Sequence, residues 1–221
     1  MVAIAWKRSY RVIPTRYPTV SIYDRIIDSR NFRAILEIEA LTNPRIREEA
    51  GDYRKMRAED AVSGPGSTPV MASFAYSGPS RFSDGTYGVY YAGHQEDTAI
   101  AESRYWTEKF LRATNEPSID VDKRMYVAVI SGKYDDLRKK TMSAKVYDPT
   151  SYDVSQDYGR KAYEANRLDG IVYRSVRHKG GECICAFRPR LVTKCRIAKY
   201  LQFRWDGQHI TAVATITDVR S

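Results

Sequence analysis

The spacing of apolar residues switches along the chain between alternation and helical period, and each switch marks an element. Residues 9–14, "SYRVIP", alternate as a short strand that Pro14 ends. The next stretch, "YPTVSIYDRIIDSRNFRAILEIEALTN", repeats at helical spacing through Ile22, Ile26, Phe32, Ile35, Leu36 and Ile38. Asp28 and Ser29 can cap it, Asn43-Pro44 breaks it, and a second helical piece runs on to Ala50. Two turn-rich loops, "SGPGSTP" (63–69) and "SGPSRFSDGTYG" (77–88), flank "VMASFAY" (70–76), a run that suits helix or strand. A strand at 87–92, "YGVYYA", then leads into a helix at 96–113.

Farther along, "MYVAVISG" (125–132) is a continuous apolar run with a Gly-Lys turn behind it, the pattern of a strand buried on both faces. A helix follows at 153–167, then strands at 169–176 and 180–189. The tail at 196–216 is two alternating strands about Asp206-Gly207, a hairpin signal. Strands and helices are mixed without a strict βαβ rhythm, so an α+β fold is expected, with 1–221 as a single domain.

Composition changes this picture little. The chain is 43% hydrophobic and 29% charged, a globular composition that argues against disorder, and 221 residues can bury a core without disulfides. The net charge of +9 raises nucleic-acid binding, but the basic residues are interleaved with acids, as in "NPRIREEAGDYRKMRAED" (43–60). A solvated positive surface, or a pocket drawing a polyanionic small molecule, fits better than a nucleic-acid interface. Cys183, Cys185 and Cys195 are too few for a disulfide framework, and alternation puts the first two on one strand face as buried thiols, not metal ligands. The opening "MVAIAWKRSYRV" is too soon broken by charge for a signal peptide, and no apolar run has membrane-spanning length. A reduced cytoplasmic setting is the expectation.

Within the 96–113 helix one side chain resists a packing account. Asp97, Arg104 and Glu108 share a polar face, while Ala99, Trp106, Phe110 and Ala113 gather opposite. Glu102 sits at the edge of that apolar arc, where a carboxylate loses hydration unless a polar group meets it. Other candidates stand at element ends: Arg81 just before a strand, Tyr90 and Tyr91 on alternate faces of it, and Ser175 at the end of "DGIVYRS". Taken singly, each has a structural explanation. No nucleophile elbow, zinc-protease helix, phosphate-binding loop or dinucleotide fingerprint is present, and the three histidines fall in no catalytic motif.

Taken in order, these residues are specific. The combination RF-x(7)-YYA-x(9)-E with the later DGIVY-x-S and C-x-FRP resembles the RES domain, named for an arginine, a glutamate and a serine. The resemblance runs from "YRVIP" through "AFRP" and implies Arg81, Tyr90, Glu102 and Ser175 as catalytic residues, with Arg11 joining Arg81, Tyr90 and Ser175 in binding substrate. It also implies a mixed sheet resembling the ADP-ribosyltransferase fold, with a helical insertion at about 20–76 between Arg11 and Arg81.

The implied activity is that of an NAD+-consuming toxin paired with an Xre-type antitoxin. NAD+ would be the substrate and no cofactor or metal is implied. The acceptor is open between water, phosphate and a protein side chain, and a homo-oligomer is compatible with the sequence. The chemistry suits the residues: cleaving the nicotinamide–ribose bond builds positive charge on the ribose, which needs a carboxylate nearby, cations for the pyrophosphate and aromatic faces for the rings. A non-catalytic basic binding module is the alternative from another class.

Overall fold

The computed structural model describes residues 1–15, 55–139 and 144–217. The helical segment expected at 22–50 and most of the insertion expected at about 20–76 lie outside them; the described part of that stretch holds a 3-10 turn at Ala58–Asp60 and helix α1. The described elements, in chain order, are β1 (Val2–Pro14), α1 (Ser67–Ala75), β2 (Tyr90–Gly93), α2 (Glu96–Ala113), β3 (Ile119–Asp136), α3 (Asp153–Ala165), β4 (Gly170–Arg174), β5 (Glu182–Ala186), β6 (Val192–Trp205) and β7 (Ile210–Ile216). The fold is α+β. Among the described residues seven strands form one mixed sheet in the order β1-β2-β5-β4-β3-β6-β7, with β1 also paired to β3. Only β3 and β4 run parallel.

Three differences from the sequence pattern have local causes. β1 begins at Val2 rather than 9, because Ile4 and Trp6 already point inward in alternation. An extra residue between Trp6 and Ser9 then shifts its register against β3. As a result Ile4 and Trp6 join one core cluster while Tyr10, of the same parity, joins another beneath α2. The ambiguous 70–76 stretch belongs to α1, whose Pro69 falls in the first turn, where a missing N–H costs nothing. β2 starts at Tyr90, not 87; the Gly88 N–H goes instead to Lys55 O.

β3 and β6 also outrun the pattern: β3 passes straight through the Gly132-Lys133 pair expected as a turn, because these residues pair with Ile4 and Ala3 of β1, and β6 begins at Val192 rather than 196. α2 spans the predicted 96–113, and β3 sends Tyr126, Ala128 and Ile130 into one cluster and Met125 and Val127 into another. Cys183 and Cys185 share a face of β5, packed with Phe82, Tyr87 and Tyr173. All three cysteines are buried. No described helix is long and apolar enough to cross a membrane.

Candidate functional site

The site lies where the sheet splits. β1 and β2 share one residue pair, Tyr10 with Gly93. Beyond it β1 follows β3 as far as Pro14 opposite Lys123, whereas β2 follows β5 back to Tyr90 opposite Ala186. Strands held by different neighbours part. α2 begins just past Gly93 and packs against both strands. Gly93 permits that approach, since a Cβ there would stand 2.8 Å from the Ala99 nitrogen. Between helix and parted strands is a cavity of about 670 Å³, within the usual range for a small-molecule site.

Glu102 lines this cavity from α2. Its polar partner is Ser175, whose Oγ donates to Glu102 Oε1 at 2.6 Å. The same Oγ accepts from the backbone N–H groups of Arg177 (3.1 Å) and His178 (3.0 Å), so the turn after β4 fixes the hydroxyl and the hydroxyl fixes the carboxylate. Cys183 Sγ also approaches Oε1, at 3.8 Å. Burial pushes the Cys183 thiol up, and the Glu102 charge adds to it. Cys183 is therefore a neutral weak donor, not a nucleophile. Tyr173 is likewise raised well above the ordinary phenol value, first by burial.

Two guanidinium groups face the same space. Arg11 bridges the split, donating Nη1 to Tyr91 O at 3.0 Å and lying 5.1 Å from the Tyr90 ring centroid. Burial disfavours its charge and lowers its pKa, yet a guanidinium keeps its proton in a protein. Arg81 is buried, gives Nη1 to Val146 O and Asp148 O at 3.1 Å each, and rests 4.7 Å from the Tyr152 ring centroid. Among the described residues neither arginine forms a close ion pair with a carboxylate, although the Asp148 carboxyl feels the Arg81 charge. Desolvated cations not held in a close ion pair favour an anion in the cavity they line.

The tyrosine of the motif falls differently from the expected assignment. Tyr90 is fully buried in the cluster behind the split, its hydroxyl without a hydrogen-bond partner among the described residues, and it does not line the cavity. Tyr91 does line it. Its hydroxyl accepts from Phe82 N at 2.9 Å and meets Ser80 Oγ at 3.0 Å, so it fastens the loop that carries Arg81. Alternation along β2 required the two to point apart but left open which of them met the site. Ser175 reaches the cavity through Glu102 and is not itself on the wall.

The helix wheel also misjudged two faces of α2. Trp106 and Phe110 are not core but 41% and 47% exposed on the cavity wall, while Thr98, Ala99, Thr107 and Leu111 make the buried contacts. Glu108, on the polar face, accepts the Ile210 N–H at 2.9 Å and ties α2 to the terminal hairpin. Tyr152, another wall residue, carried no signal in the sequence beyond its place before α3. No cluster of three or more metal-ligating side chains occurs among the described residues.

Comparison with known proteins agrees with the motif. The chain is similar to the uncharacterized protein y4oC of Sinorhizobium fredii, with 26% identity over 215 residues, covering 95% of this chain and 87% of that protein. The RES domain model matches residues 44–206, a span that includes Arg81, Glu102 and Ser175 as well as the parted strand β2 and its helix. Motif, span and the meeting of the three residues in and behind one cavity agree: the chain belongs to the RES domain family.

Proposed function

We propose that this chain cleaves the nicotinamide–ribose bond of NAD+ and so depletes the dinucleotide. What supports the reading is one juxtaposition: a Ser175-held carboxylate, Glu102, shares a cavity with two guanidinium groups that form no carboxylate ion pair among the described residues. A dinucleotide needs both, a carboxylate at the anomeric carbon and cations at the pyrophosphate. The split sheet with α2 across it is read as an ADP-ribosyltransferase-like arrangement.

In this reading Arg11 and Arg81 take the pyrophosphate, and Tyr91, not Tyr90, offers the aromatic wall beside the reacting ribose. The C1′–N bond breaks with its electron pair going to the nicotinamide nitrogen, which neutralises the pyridinium and makes it a good leaving group. Glu102 stabilises the oxocarbenium-like ribose and hydrogen-bonds its hydroxyls. With water as acceptor, the new C1′–O bond forms as Glu102 takes the water proton; a phosphate dianion attacks without needing that base. Ser175 acts through Glu102 as a positioning residue, since its only hydroxyl proton is spent on that carboxylate. A helical Xre-type partner that plugs the cleft or blocks its entrance is the proposed antitoxin.

Incubation with NAD+ and measurement of nicotinamide release tests this directly. Glu102→Gln should slow release by about a hundredfold or more; release at the wild-type rate would remove Glu102 from the chemistry. Products formed with and without phosphate distinguish hydrolysis from phosphorolysis. Transfer of labelled ADP-ribose to protein would instead identify an ADP-ribosyltransferase.

A further inference from the structure

Glu102 is steered by a hydroxyl whose own direction is set from outside the cavity. Ser175 Oγ accepts from the backbone N–H groups of Arg177 and His178, so both of its lone pairs are taken and its proton points at Glu102. The turn that supplies those N–H groups is closed on itself: Ser175 N donates to Gly181 O at 2.8 Å, and Gly181 N to His178 O at 2.9 Å. Where this turn sits against α2 therefore decides how the serine proton meets the carboxylate.

α2 meets the turn along one stripe. Thr98, Glu102 and Tyr105 stand at i, i+4 and i+7, a single helix face. Glu102 takes the serine hydroxyl, and the Arg177 guanidinium lies over the Tyr105 ring, 3.3 Å from its centroid. Thr98, one helical turn before Glu102, meets the His178 ring: its Oγ1 is 2.9 Å from Nδ1. Thr98 is fully buried, whereas Tyr105 and Arg177 are only partly so. A buried hydroxyl keeps its partner, so this contact fixes the turn more firmly than the outer pair. Gly181 makes room for it, since a Cβ there would stand 2.6 Å from Thr98 Oγ1 and 2.8 Å from His178 Nδ1. Gly181 has no positive φ, so the position requires space rather than backbone freedom.

Resting on the NAD+ reading for its kinetic consequence, we infer that Thr98 and His178 are positioning residues for Glu102: their contact clamps the 175–181 turn to α2 and so aims the Ser175 proton at the carboxylate. Neither residue lines the cavity, so both act through Ser175 and touch no substrate.

The test reads the clamp apart from turnover. Thr98→Val keeps the shape and removes the hydroxyl, whereas Thr98→Ser keeps the hydroxyl. His178→Ala breaks the same contact from its partly buried side, should Thr98→Val fail to fold, and His178→Asn keeps a polar atom near the place of Nδ1. Amide exchange followed by NMR needs no substrate. In Thr98→Val and His178→Ala the N–H groups of residues 177 and 178 should exchange about tenfold faster, the worth of one hydrogen bond, while residues 125–130 of β3 keep their wild-type rates. Thr98→Ser and His178→Asn should restore protection. With NAD+, kcat for nicotinamide release should fall about tenfold in the first pair at unchanged KM, because a misaimed carboxylate is felt in the transition state rather than in binding. Unchanged exchange at 177 and 178, or an equal rise in β3, would overturn the clamp. A raised KM at wild-type kcat would overturn its action on Glu102. The expected local exchange in a protein whose wild type releases no nicotinamide would instead refute the cleavage reading and leave the clamp standing.

Discussion

The two tyrosines of "YYA" differ by one position and by nearly everything else. Tyr91 holds the Phe82 N–H and the Ser80 hydroxyl, one on each side of Arg81. Removing its oxygen would leave a backbone donor unpaired, at a cost of about 1–3 kcal/mol, and would loosen Arg81. Tyr90 has a buried hydroxyl that bonds to nothing among the described residues, and deleting such a group is nearly free. Tyr91→Phe should therefore lower the melting temperature, by about 2–4 °C per kcal/mol in a domain of this size, and reduce NAD+ turnover. Tyr90→Phe should leave turnover at the wild-type level and stability level or higher. Thermal melts and nicotinamide release on the pair settle the matter; equal damage from both would undo the assignment of the wall to Tyr91.

At the scale of elements, the Arg81 loop is held from behind by α3. Gly159 on that helix is fully packed against the loop: a Cβ there would lie 2.1 Å from the Phe82 carbonyl oxygen. Two effects compete in Gly159→Ala. Helix propensity favours alanine by about 1 kcal/mol. Overpacking against backbone, which cannot swing aside as a side chain can, costs about 1–3 kcal/mol. At 2.1 Å the clash should win, so the variant should melt lower than wild type and bind ADP-ribose more weakly as Arg81 is displaced. A higher melting temperature would mean that α3 does not press on the loop. Gln156 on the same helix donates to Ser80 O at 2.9 Å, which gives the contact a second attachment.

For the molecule as a whole, the ends of β3 and β5 are clasped by charge. Arg138 bonds both oxygens of Asp136 (2.8 and 2.9 Å) and reaches Glu182 at 2.9 Å. Asp136 is almost fully buried, and the hydrogen bonds from Arg138 hold its carboxyl below the usual range. A carboxyl depressed in the folded state contributes stability above its unfolded value, near 3.9, and loses it as pH falls through the folded value. Urea midpoints should thus hold between pH 7 and 5 and decline below about pH 4. Arg138→Gln should cost about 1.5–3 kcal/mol at pH 7, and its deficit against wild type should shrink as pH falls through the depressed folded value of Asp136, where the carboxyl becomes protonated. A deficit independent of pH would show that Arg138 acts by packing alone.

Periodicity along the chain determined what nearest neighbours control. The bounds of α2, the burial of β3 on both faces, the shared face of Cys183 and Cys185, and the hairpin about Asp206 follow from local backbone geometry, so the sequence carried them. The order of the motif likewise assigned Arg81 and Glu102 to one site. Which side of an element is wet depends on what comes from elsewhere in the chain, and there the tertiary structure decided. β1 and β2 part because each is claimed by a different neighbour; Trp106 and Phe110 stay exposed because the sheet below α2 is split; Tyr91 meets the cavity because of that same split. Ser175 finds Glu102 across 73 residues through a turn whose N–H groups orient its hydroxyl. The carboxylate that looked misplaced on a helical wheel is satisfied by a partner that no local period could bring to it.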